Sequence, residues 1–251
     1  MTIDHPKACH IPQLKKLWQE AFGDTDVFLD GFFDTGFSPD RCCGLWEETL
    51  LVSVLYWFDC TWQNQKVAYL YAVATGKQFQ GRGFCRQLME KVHNLLKERG
   101  YVGAILVPGN QGLFTLYEKM GYAPCCLTDT KTISAGKVSL PVQKISATEY
   151  ARLQKMHLPQ DAVIHGPEAL AFADTFCGFY QGDDFAFCGG AEDDKFYFQE
   201  FLGDTCTLPG VLAALKAAEG QLRLPGKNPF AMYLSFTDSN ALPSYFDIPL
   251  N

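Results

Sequence analysis

The chain has 251 residues, 47% of them hydrophobic and 20% charged, which suffices for one large or two modest folded domains and excludes a disordered tail or a fibre. No apolar run approaches the roughly 20 residues that span a bilayer, and residues 1–10 lack the apolar segment of a secretory signal, so neither membrane insertion nor secretion is expected. The net charge of −7 is uneven, with 15 basic and 14 acidic residues up to position 145 but 6 and 14 after it, which disfavours nucleic-acid or membrane-surface binding by the C-terminal part.

Apolar spacing predicts the elements of the N-terminal part. Leu14, Leu17 and Trp18 lie on one helical face that ends before Gly23, which indicates an amphipathic helix. The elements predicted after it are a short helix at 26–33, a β-hairpin of 42–46 and 50–58, a buried strand at 66–74, a helix from Phe84 to Gly100, a strand at 104–107, a helix at 113–120 and strands at 122–127 and 137–142. Helices and strands are mixed, with a hairpin first and a crossover later, which predicts an α+β domain over 1–145.

A second domain is predicted over 146–251, because Ser146 and Glu149 form the capping-box pattern that opens a helix at 147–156. The elements predicted next are a helix from Pro167, strands at 176–180, 185–188 and 195–202, a helix at 208–218 and a strand at 230–236. The strand, helix, strand order of 195–236 echoes that of 66–107. Two copies do not establish a repeat, so this domain is either a degenerate relative of the first or an ordinary α+β unit.

Cysteine and histidine usage indicates the redox state and the metal chemistry. The ten cysteines include the adjacent pairs Cys42-Cys43 and Cys125-Cys126 and no CxxC, which favours reduced core thiols in a cytoplasmic protein. The five histidines show no zinc-ligand spacing, so no metal is expected.

A glycine-rich turn, GKQFQGRGFC at 76–85, lies between the buried strand and the long helix. Closely spaced glycines let successive amides point one way and join the free donors of a helix N-terminus, which forms an anion site. The turn is not a P-loop, because no GKS or GKT occurs, and it is not GxGxxG, because Arg86 stands at the third glycine.

The segment from Gln80 to Cys85 resembles the acyl-CoA pyrophosphate loop, Gln/Arg-x-x-Gly-x-Gly/Ala, of the GNAT superfamily of N-acyltransferases, with Cys85 at the last position. A register from Gln78 also fits the letters, but only the Gln80 register puts the apolar Phe84 and Leu88 into the helix. Residues 104–122, which end in LYEKMGY, resemble the family's next strand and helix. Segments upstream are similar to the bacterial enhanced-intracellular-survival-like branch, and the resemblance covers about residues 10–145.

The resemblance implies a three-layer α/β fold with a mixed central sheet, acetyl-CoA as cosubstrate and acetyl transfer to a primary amine of a small molecule or peptide. Two strand edges, Ala72–Thr75 and Ile105–Val107, would splay apart and bind the pantetheine arm, with the Val73 amide at the thioester carbonyl. Tyr117 would be the general acid. Asn110 would either bind the cofactor or only turn the chain. The implied cofactor contacts are Val73, Thr75, Gln80, Gly81, Arg82, Gly83, Phe84, Cys85, Arg86 and Asn110.

The general base is left open, because the strand at 66–74 contains no acidic residue and proton removal through water is expected. The alternatives are carboxylates that also fit a solvated surface: Glu20, Asp24, Asp26, Glu47, Glu48 and the C-terminal carboxylate of Asn251. The aromatic residues Phe28, Phe32, Phe33, Tyr56 and Trp57 either wall an acceptor pocket or belong to the core.

The leading hypothesis is therefore an acetyl-CoA-dependent N-acetyltransferase in which the amine attacks directly in a ternary complex. A non-catalytic acyl-CoA sensor with an acidic partner-binding domain is the rival. An aminoacyl transferase that uses charged tRNA fits the echo but not the acidic second half. No second CoA site is expected beyond residue 145, and the acidic domain would favour a cationic acceptor.

Overall fold

The computed structural model describes residues 1–250 and groups the chain into two compact units. The first unit comprises Met1–Ala123 and Met232–Leu242, and the second comprises Pro124–Ala231 and the segment from Pro243 onward. This grouping differs from the division predicted at residue 145. The first unit now carries 12 basic and 14 acidic residues and the second 9 and 14, so the contrast in charge is smaller than the sequence division suggested.

The first unit is an antiparallel meander followed by a parallel crossover. Its elements are β1 (Thr2–Asp4), α1 (Ile11–Phe22), α2 (Asp26–Gly31), β2 (Cys42–Glu47), β3 (Leu50–Trp62), β4 (Gln65–Thr75), α3 (Phe84–Glu98), β5 (Gly103–Leu106) and α4 (Gln111–Glu118). Its core lies between the sheet and α3, whose buried residues Leu88, Val92 and Leu96 recur at helical spacing.

The second unit carries the remaining elements. They are β6 (Ala123–Ser134), β7 (Gln143–Ile145), α5 (Ala147–His157), β8 (Val163–His165), α6 (Pro167–Ala173), β9 (Gly178–Gln181), β10 (Ala186–Glu192), β11 (Lys195–Leu202), α7 (Leu208–Leu215), β12 (Glu219–Pro225) and β13 (Asn228–Ser235), of which the last four residues of β13 lie in the first unit. As its capping-box pattern predicts, α5 begins after Ser146, whose Oγ accepts the Glu149 N–H at 3.2 Å.

Both units have the same strand order around a parallel pair. In the first, β2, β3 and β4 are antiparallel neighbours, β4 pairs in parallel with β5, and β5 pairs antiparallel with β13. In the second, β9, β10 and β11 are antiparallel neighbours, β11 pairs in parallel with β12, and β12 pairs antiparallel with β6. The second unit therefore repeats the strand order and directions of the first. The connectivity of the fifth strand differs, because β13 follows the other strands of its sheet in sequence and β6 precedes them.

The return of residues 232–242 to the first unit has a clear packing basis. Residues Met232–Ser235 pair with Leu106–Gly103, and Tyr233 crosses over Gly103, where an added Cβ would lie 2.1 Å from the tyrosine hydroxyl oxygen. The Tyr233 ring also packs edge-on against Trp62, with the ring centroids 5.2 Å apart. Only glycine at position 103 leaves room for this contact.

One strand prediction in the second unit is wrong, and one strand was not predicted. Residues 137–142 form no strand, because the N–H groups of Gly136 and Leu140 bond to carbonyls of Pro209 and Gly210 and Pro141 has no N–H to give. The strand predicted at 230–236 is present as β13, but the parallel partner of β11 is β12. The segment EGQLRLP alternates polar and apolar residues from Gln221, which is typical of a strand, yet no strand was predicted there.

A polar cluster is buried in the second unit around Glu200 of β11. The Glu200 carboxylate accepts hydrogen bonds from Tyr150 Oη at 2.9 Å, Gln154 Nε2 at 2.6 Å and Tyr245 Oη at 3.2 Å. Burial, and after it the nearby Asp247 carboxylate, raises the pKa of Glu200 to about 7. Burial likewise raises the pKa of Asp247 to about 6, although Arg223 opposes that rise.

The chain's last described residues are held against the same strand. Ile248 donates its N–H to the Gln199 carbonyl at 3.4 Å, one residue beyond the last β11–β12 pair, Phe198 with Leu222. The Asp247 carboxylate accepts from Arg223 Nε at 2.8 Å, and Arg223 Nη2 also donates to the Gln199 carbonyl at 3.1 Å. Asn251 lies outside the described residues, so the proposed role of its carboxylate stays a prediction.

The Gly103 contact predicts a sensitive position. Gly103→Ala should lower the free energy of unfolding by about 2 kcal/mol, because the new methyl group overlaps the Tyr233 ring. Gly109→Ala is the matched control, since an added Cβ there meets no atom within 4 Å. Urea denaturation of both variants measures the effect, and equal stabilities would contradict the packing described.

The buried carboxylate predicts a pH dependence of stability. The pKa of Glu200 is higher in the folded protein than the ordinary 4.5, so the folded state binds the proton more tightly and loses stability as the pH rises from about 4.5 to 7. Glu200→Gln should remove this loss, which amounts to about 3 kcal/mol. The new amide could donate to Gln154 Oε1, a buried acceptor that has no partner among the described residues.

The measurement is urea denaturation between pH 5 and 8. Relative to wild type, Glu200→Gln should gain stability steadily with pH, while Glu192→Gln, a change at an exposed carboxylate, should run parallel to wild type. The buried His165 titrates in both proteins, so its contribution cancels in the comparison. Asp247 interacts with Glu200, so the measured difference includes the coupling between these two carboxylates. Parallel curves for Glu200→Gln would overturn the assignment.

Candidate functional site

A cavity of about 880 Å³ lies in the first unit, where β4 ends and α3 begins. Nine of the ten cofactor contacts expected from the sequence line it, together with the expected general acid Tyr117: Val73, Thr75, Gln80, Gly81, Gly83, Phe84, Cys85, Arg86 and Asn110. Ala74, from the strand edge expected to bind the pantetheine arm, and the candidate carboxylate Glu20 also line it. Residues that the sequence reasoning did not assign to a site complete the lining: Ala21, Phe22, Lys77, Phe79, Gly109, Leu113, Leu116 and Met120. The apolar spacing of Leu113, Leu116 and Met120 indicated a helix face but did not show that the face borders a cavity.

The glycine-rich loop has the conformation that an anion site needs. Gly81 and Gly83 have φ values of 74° and 81°, in the left-handed region that favours glycine, and Gly83 is the N-cap of α3. The free N–H groups of the first turn of α3 therefore open toward the cavity edge, beside the cationic side chains of Lys77 and Arg86. This arrangement suits a phosphate or diphosphate.

Gln80 closes the loop onto the preceding strand. Its Nε2 donates to the Thr75 carbonyl at 3.2 Å, and the loop amide of Gly76 donates to the Val52 carbonyl at 3.0 Å. Arg82 is the expected contact that is not in the lining. Its guanidinium lies 4.8 Å from the Phe84 ring centroid and 5.6 Å from that of Phe79, so it packs on the outer side of the loop.

A β-bulge shapes the end of β4. Val54 pairs with Ala74 but Tyr56 pairs with Tyr71, so β4 has one extra residue here, and Ala72 has a left-handed φ of 47°. The buried Ser53 holds the bulge, because its Oγ donates to the Ala74 carbonyl at 2.8 Å and lies 2.8 Å from Thr75 Oγ1. A left-handed alanine costs about 1–2 kcal/mol, so the surrounding structure imposes this conformation. Nothing in the run VAYLYAVA signals the bulge.

The two parallel strands part where the cavity begins. They pair only over Val67–Tyr69 with Gly103–Ile105, after which β4 continues to Thr75 paired with β3 but not with β5. The expectation for the second strand is corrected: none of the described residues 105–107 lines the cavity, because Ile105 pairs with both Tyr69 and Tyr233 and Leu106 pairs with Met232. Gly109 and Asn110 face the cavity instead.

Tyr117 lies on α4 among apolar neighbours, with 6% of its surface exposed. Burial, and after it the nearby Cys85 thiol, raises the pKa of Tyr117 well above its ordinary value, and burial raises the pKa of Cys85 to about 11. Both groups are therefore protonated at neutral pH. The Tyr117 ring centroid lies 5.7 Å from that of Tyr122, whose hydroxyl is 2.8 Å from His93 Nε2.

Asn110 fits both alternatives that the sequence left open. Its Oδ1 accepts the Leu113 N–H at 3.2 Å and so caps α4, and the residue also lines the cavity. Because the cap uses the oxygen, the side-chain NH₂ is the group that can donate to a ligand.

The five candidate carboxylates among the described residues differ in their position relative to the cavity. Glu20 lines the cavity, and its Oε1 accepts the Lys77 N–H at 2.6 Å. Asp24 accepts from Trp18 Nε1 at 2.7 Å, and Asp26 accepts from Gln19 Nε2 at 2.6 Å. The remaining two, Glu47 and Glu48, are exposed at the β2–β3 turn, and apart from Glu20 none of these five lines the cavity.

The aromatic candidates belong mainly to the core. Phe32, Tyr56 and Trp57 are each 1% exposed, and Trp18 packs against Phe32 and Tyr56 with centroid distances of 4.7 and 5.2 Å. Phe28 and Phe33 are half-buried at the edge of this cluster, and none of the five lines the cavity among the residues described.

Within residues 1–250, no three His, Cys, Asp or Glu side chains are grouped in a way that could hold a metal ion. No helix in the same range has the length and apolar character needed to cross a bilayer.

Comparison with protein families identifies the first half of the chain. Residues 2–125 match the family model described as an acetyltransferase (GNAT) domain. No curated protein matches the sequence.

Solved structures extend the likeness in fold to most of the chain. A GCN5-related N-acetyltransferase from Kribbella flavida is 14% identical with a TM-score of 0.70, over 92% of this chain and 70% of that one. One from Anabaena variabilis is 13% identical with a TM-score of 0.71, over 92% and 72%. Eis1 from Mycobacterium abscessus is 11% identical with a TM-score of 0.67, over 91% of this chain and 66% of that one.

Proposed function

Residues 2–125 belong to the GNAT acetyltransferase family, and from this premise we propose that the protein transfers an acetyl group from acetyl-CoA to a primary amine of a small molecule or peptide. The observation that carries the proposal is one cavity whose lining combines a glycine-rich anion loop, the end of β4 with its β-bulge, and the buried Tyr117. Each part matches one section of an acyl-CoA: the diphosphate, the pantetheine arm and the thioester.

The diphosphate is assigned to the loop. Amides at the start of α3 would donate to its oxygens, and Lys77 and Arg86 would balance its charge. Gly81 and Gly83 supply the left-handed φ values that this turn requires and that residues with side chains rarely adopt.

The pantetheine arm is assigned to the free edge of β4. Beyond Tyr69 this edge has no β5 partner, so its backbone groups can bond an extended amide-containing chain in the manner of an added strand. The bulge at Ala72 changes the direction of the next residue, and Val73 lines the cavity. The Val73 N–H is the donor that would stabilise the oxyanion of the tetrahedral intermediate.

Tyr117 is proposed as the acid that donates to the departing sulfur. Its raised pKa keeps the phenol protonated at neutral pH, so a donor is available in every resting molecule. The proton count closes because the amine loses one proton as its C–N bond forms and the CoA sulfur gains one as its C–S bond breaks. Glu20 is the sole carboxylate in the described lining, and it already accepts the Lys77 N–H, so water is the proposed carrier of the amine proton.

One acyl-CoA site per chain is proposed. The second unit has a parallel pair of the same kind, but its Gln199 carbonyl, the first beyond the pairing, already accepts from Ile248 N–H and Arg223. The turn after β11 also contains no glycine pair of the Gly81 and Gly83 type: its sequence is GDTCTLPG. Both features support the absence of a second site.

Acetyl-CoA binding tests the proposal. Titration calorimetry should give about one bound acetyl-CoA per chain. Thermal denaturation should show that acetyl-CoA raises the melting temperature of the protein. Gly83→Glu should abolish the rise, because it places a carboxylate at the diphosphate site. Gly83→Ala is the matched control, which adds left-handed strain of about 1–2 kcal/mol but neither charge nor a clash, and each variant's shift is compared with its own ligand-free melting temperature. If acetyl-CoA does not raise the melting temperature of the wild-type protein, the proposed site is wrong.

Tyr117→Phe tests the proposed acid. Turnover, followed as free thiol released with a panel of amines, should fall by about 10²-fold or more, because the departing sulfur loses its donor. The affinity for CoA should change little, since the ring still fills its place beside Tyr122. Leu116→Ala, at the preceding position of α4 and also in the cavity lining, is the matched control that alters the lining but no proton donor. Unchanged turnover in Tyr117→Phe would remove its assigned role.

A further inference from the structure

The negative charge of Glu20 opposes the binding of an anion in the cavity that it lines. Among the described lining residues it is the sole carboxylate in a cavity whose loop amides and cations, Lys77 and Arg86, favour an anion. A carboxylate near a diphosphate repels it, and the repulsion weakens with salt. Its position therefore calls for a compensating contact.

The compensating contact is a hydrogen bond to the loop itself. Glu20 lies one turn from the end of α1, and its Oε1 accepts the backbone N–H of Lys77 at 2.6 Å, across 57 positions of sequence. Lys77 opens a single helical turn, Lys77–Phe79, whose N-cap residue Gly76 has no side chain to offer. Glu20 thus acts as the cap from another element.

The capped turn leads directly into the anion loop. The Phe79 N–H donates to the Gly76 carbonyl at 2.8 Å, and Gln80 follows with its own bond to the Thr75 carbonyl at 3.2 Å. These bonds are internal to residues 75–80, whereas the Glu20 bond ties the same segment to α1. Removing it frees the N–H of Lys77 and one end of the turn.

We propose that Glu20 is a positioning residue that fixes the loop in its diphosphate-binding conformation through the Lys77 N–H. The inference rests on the proposed acyl-CoA site and adds a residue outside the glycine motif to it. It has a distinctive consequence, because the hydrogen bond of Glu20 favours anion binding while its charge opposes it. Two substitutions separate the effects: Glu20→Ala removes both, and Glu20→Gln keeps an acceptor oxygen but removes the charge.

The experiment measures the Kd of CoA for both variants at low and high salt. Glu20→Ala should bind CoA about fivefold more weakly than wild type. Glu20→Gln should bind it as tightly as wild type or about threefold more tightly, with the gain lost at high salt. The matched controls are Glu118→Ala and Glu118→Gln, at an exposed α4 carboxylate next to Tyr117 that does not line the cavity, and both should equal wild type.

Steady-state kinetics add a second readout. Glu20→Ala should raise KM for acetyl-CoA with little change in kcat, because the thioester end of the cavity is untouched. Equal CoA affinities for Ala and Gln variants, or tighter binding by Glu20→Ala, would overturn the positioning role. A rise in KM for the amine in Glu20→Gln at unchanged CoA affinity would also overturn it and assign Glu20 to the acceptor.

Hydrogen exchange separates this inference from the proposed function. In the ligand-free protein, the Lys77 amide should exchange about fivefold or more faster in Glu20→Ala and at the wild-type rate in Glu20→Gln. This holds even if acetyl-CoA does not bind. An unchanged exchange rate of the Lys77 amide in Glu20→Ala would overturn the inference by itself. Absence of acetyl-CoA binding to the wild-type protein would instead overturn the proposed function.

Discussion

The short parallel pairing of β4 with β5 is the constraint on which the site depends. Three residue pairs join the strands, and then β4 runs on for six residues to Thr75 without that partner. The backbone groups on that side of β4 lack β5 partners, and such groups are satisfied by other protein groups, by water or by a ligand. The bulge at Ala72 accentuates the parting, and Ser53 holds it from the β3 side. A cleft beside the part of β4 that β5 does not cover follows from these few contacts.

The other edge of β5 shows why the parting is stable. Met232–Ser235 pair along β5, and Tyr233 packs over Gly103 at the point where the β4 pairing begins. With β5 held on that side, β4 can diverge without loss of the sheet. Because the residues that hold it come from more than 120 positions later in the chain, the fold of the first unit depends on the C-terminal part of the sequence.

The sequence predicted those features of the structure that depend on residues close together in the chain. The glycine spacing at 81 and 83, the Ser146 cap and the apolar face of α3 specify their conformations through neighbouring residues, and these were predicted. The bulge at Ala72, the return of β13 and the pairing of β12 depend on partners distant in sequence. No periodicity in VAYLYAVA encodes the bulge, and the alternation in EGQLRLP indicates a strand but not its partners. Glu20 was recognised as a candidate carboxylate, but its bond to Lys77 required the tertiary structure.

The two units share a strand order but differ at the end of the parallel strand pair. In the first, the backbone beyond the parallel pair borders a cavity of about 880 Å³. In the second, the corresponding carbonyl of Gln199 accepts from Ile248 and Arg223, and Asp247 neutralises that arginine. The adjacent Glu200 is enclosed by Tyr150, Gln154 and Tyr245, with its pKa raised by burial to about 7. Side chains and the C-terminal segment thus cover in the second unit the strand end that borders a cavity in the first, so the same strand order accommodates a cavity in one unit and internal packing in the other.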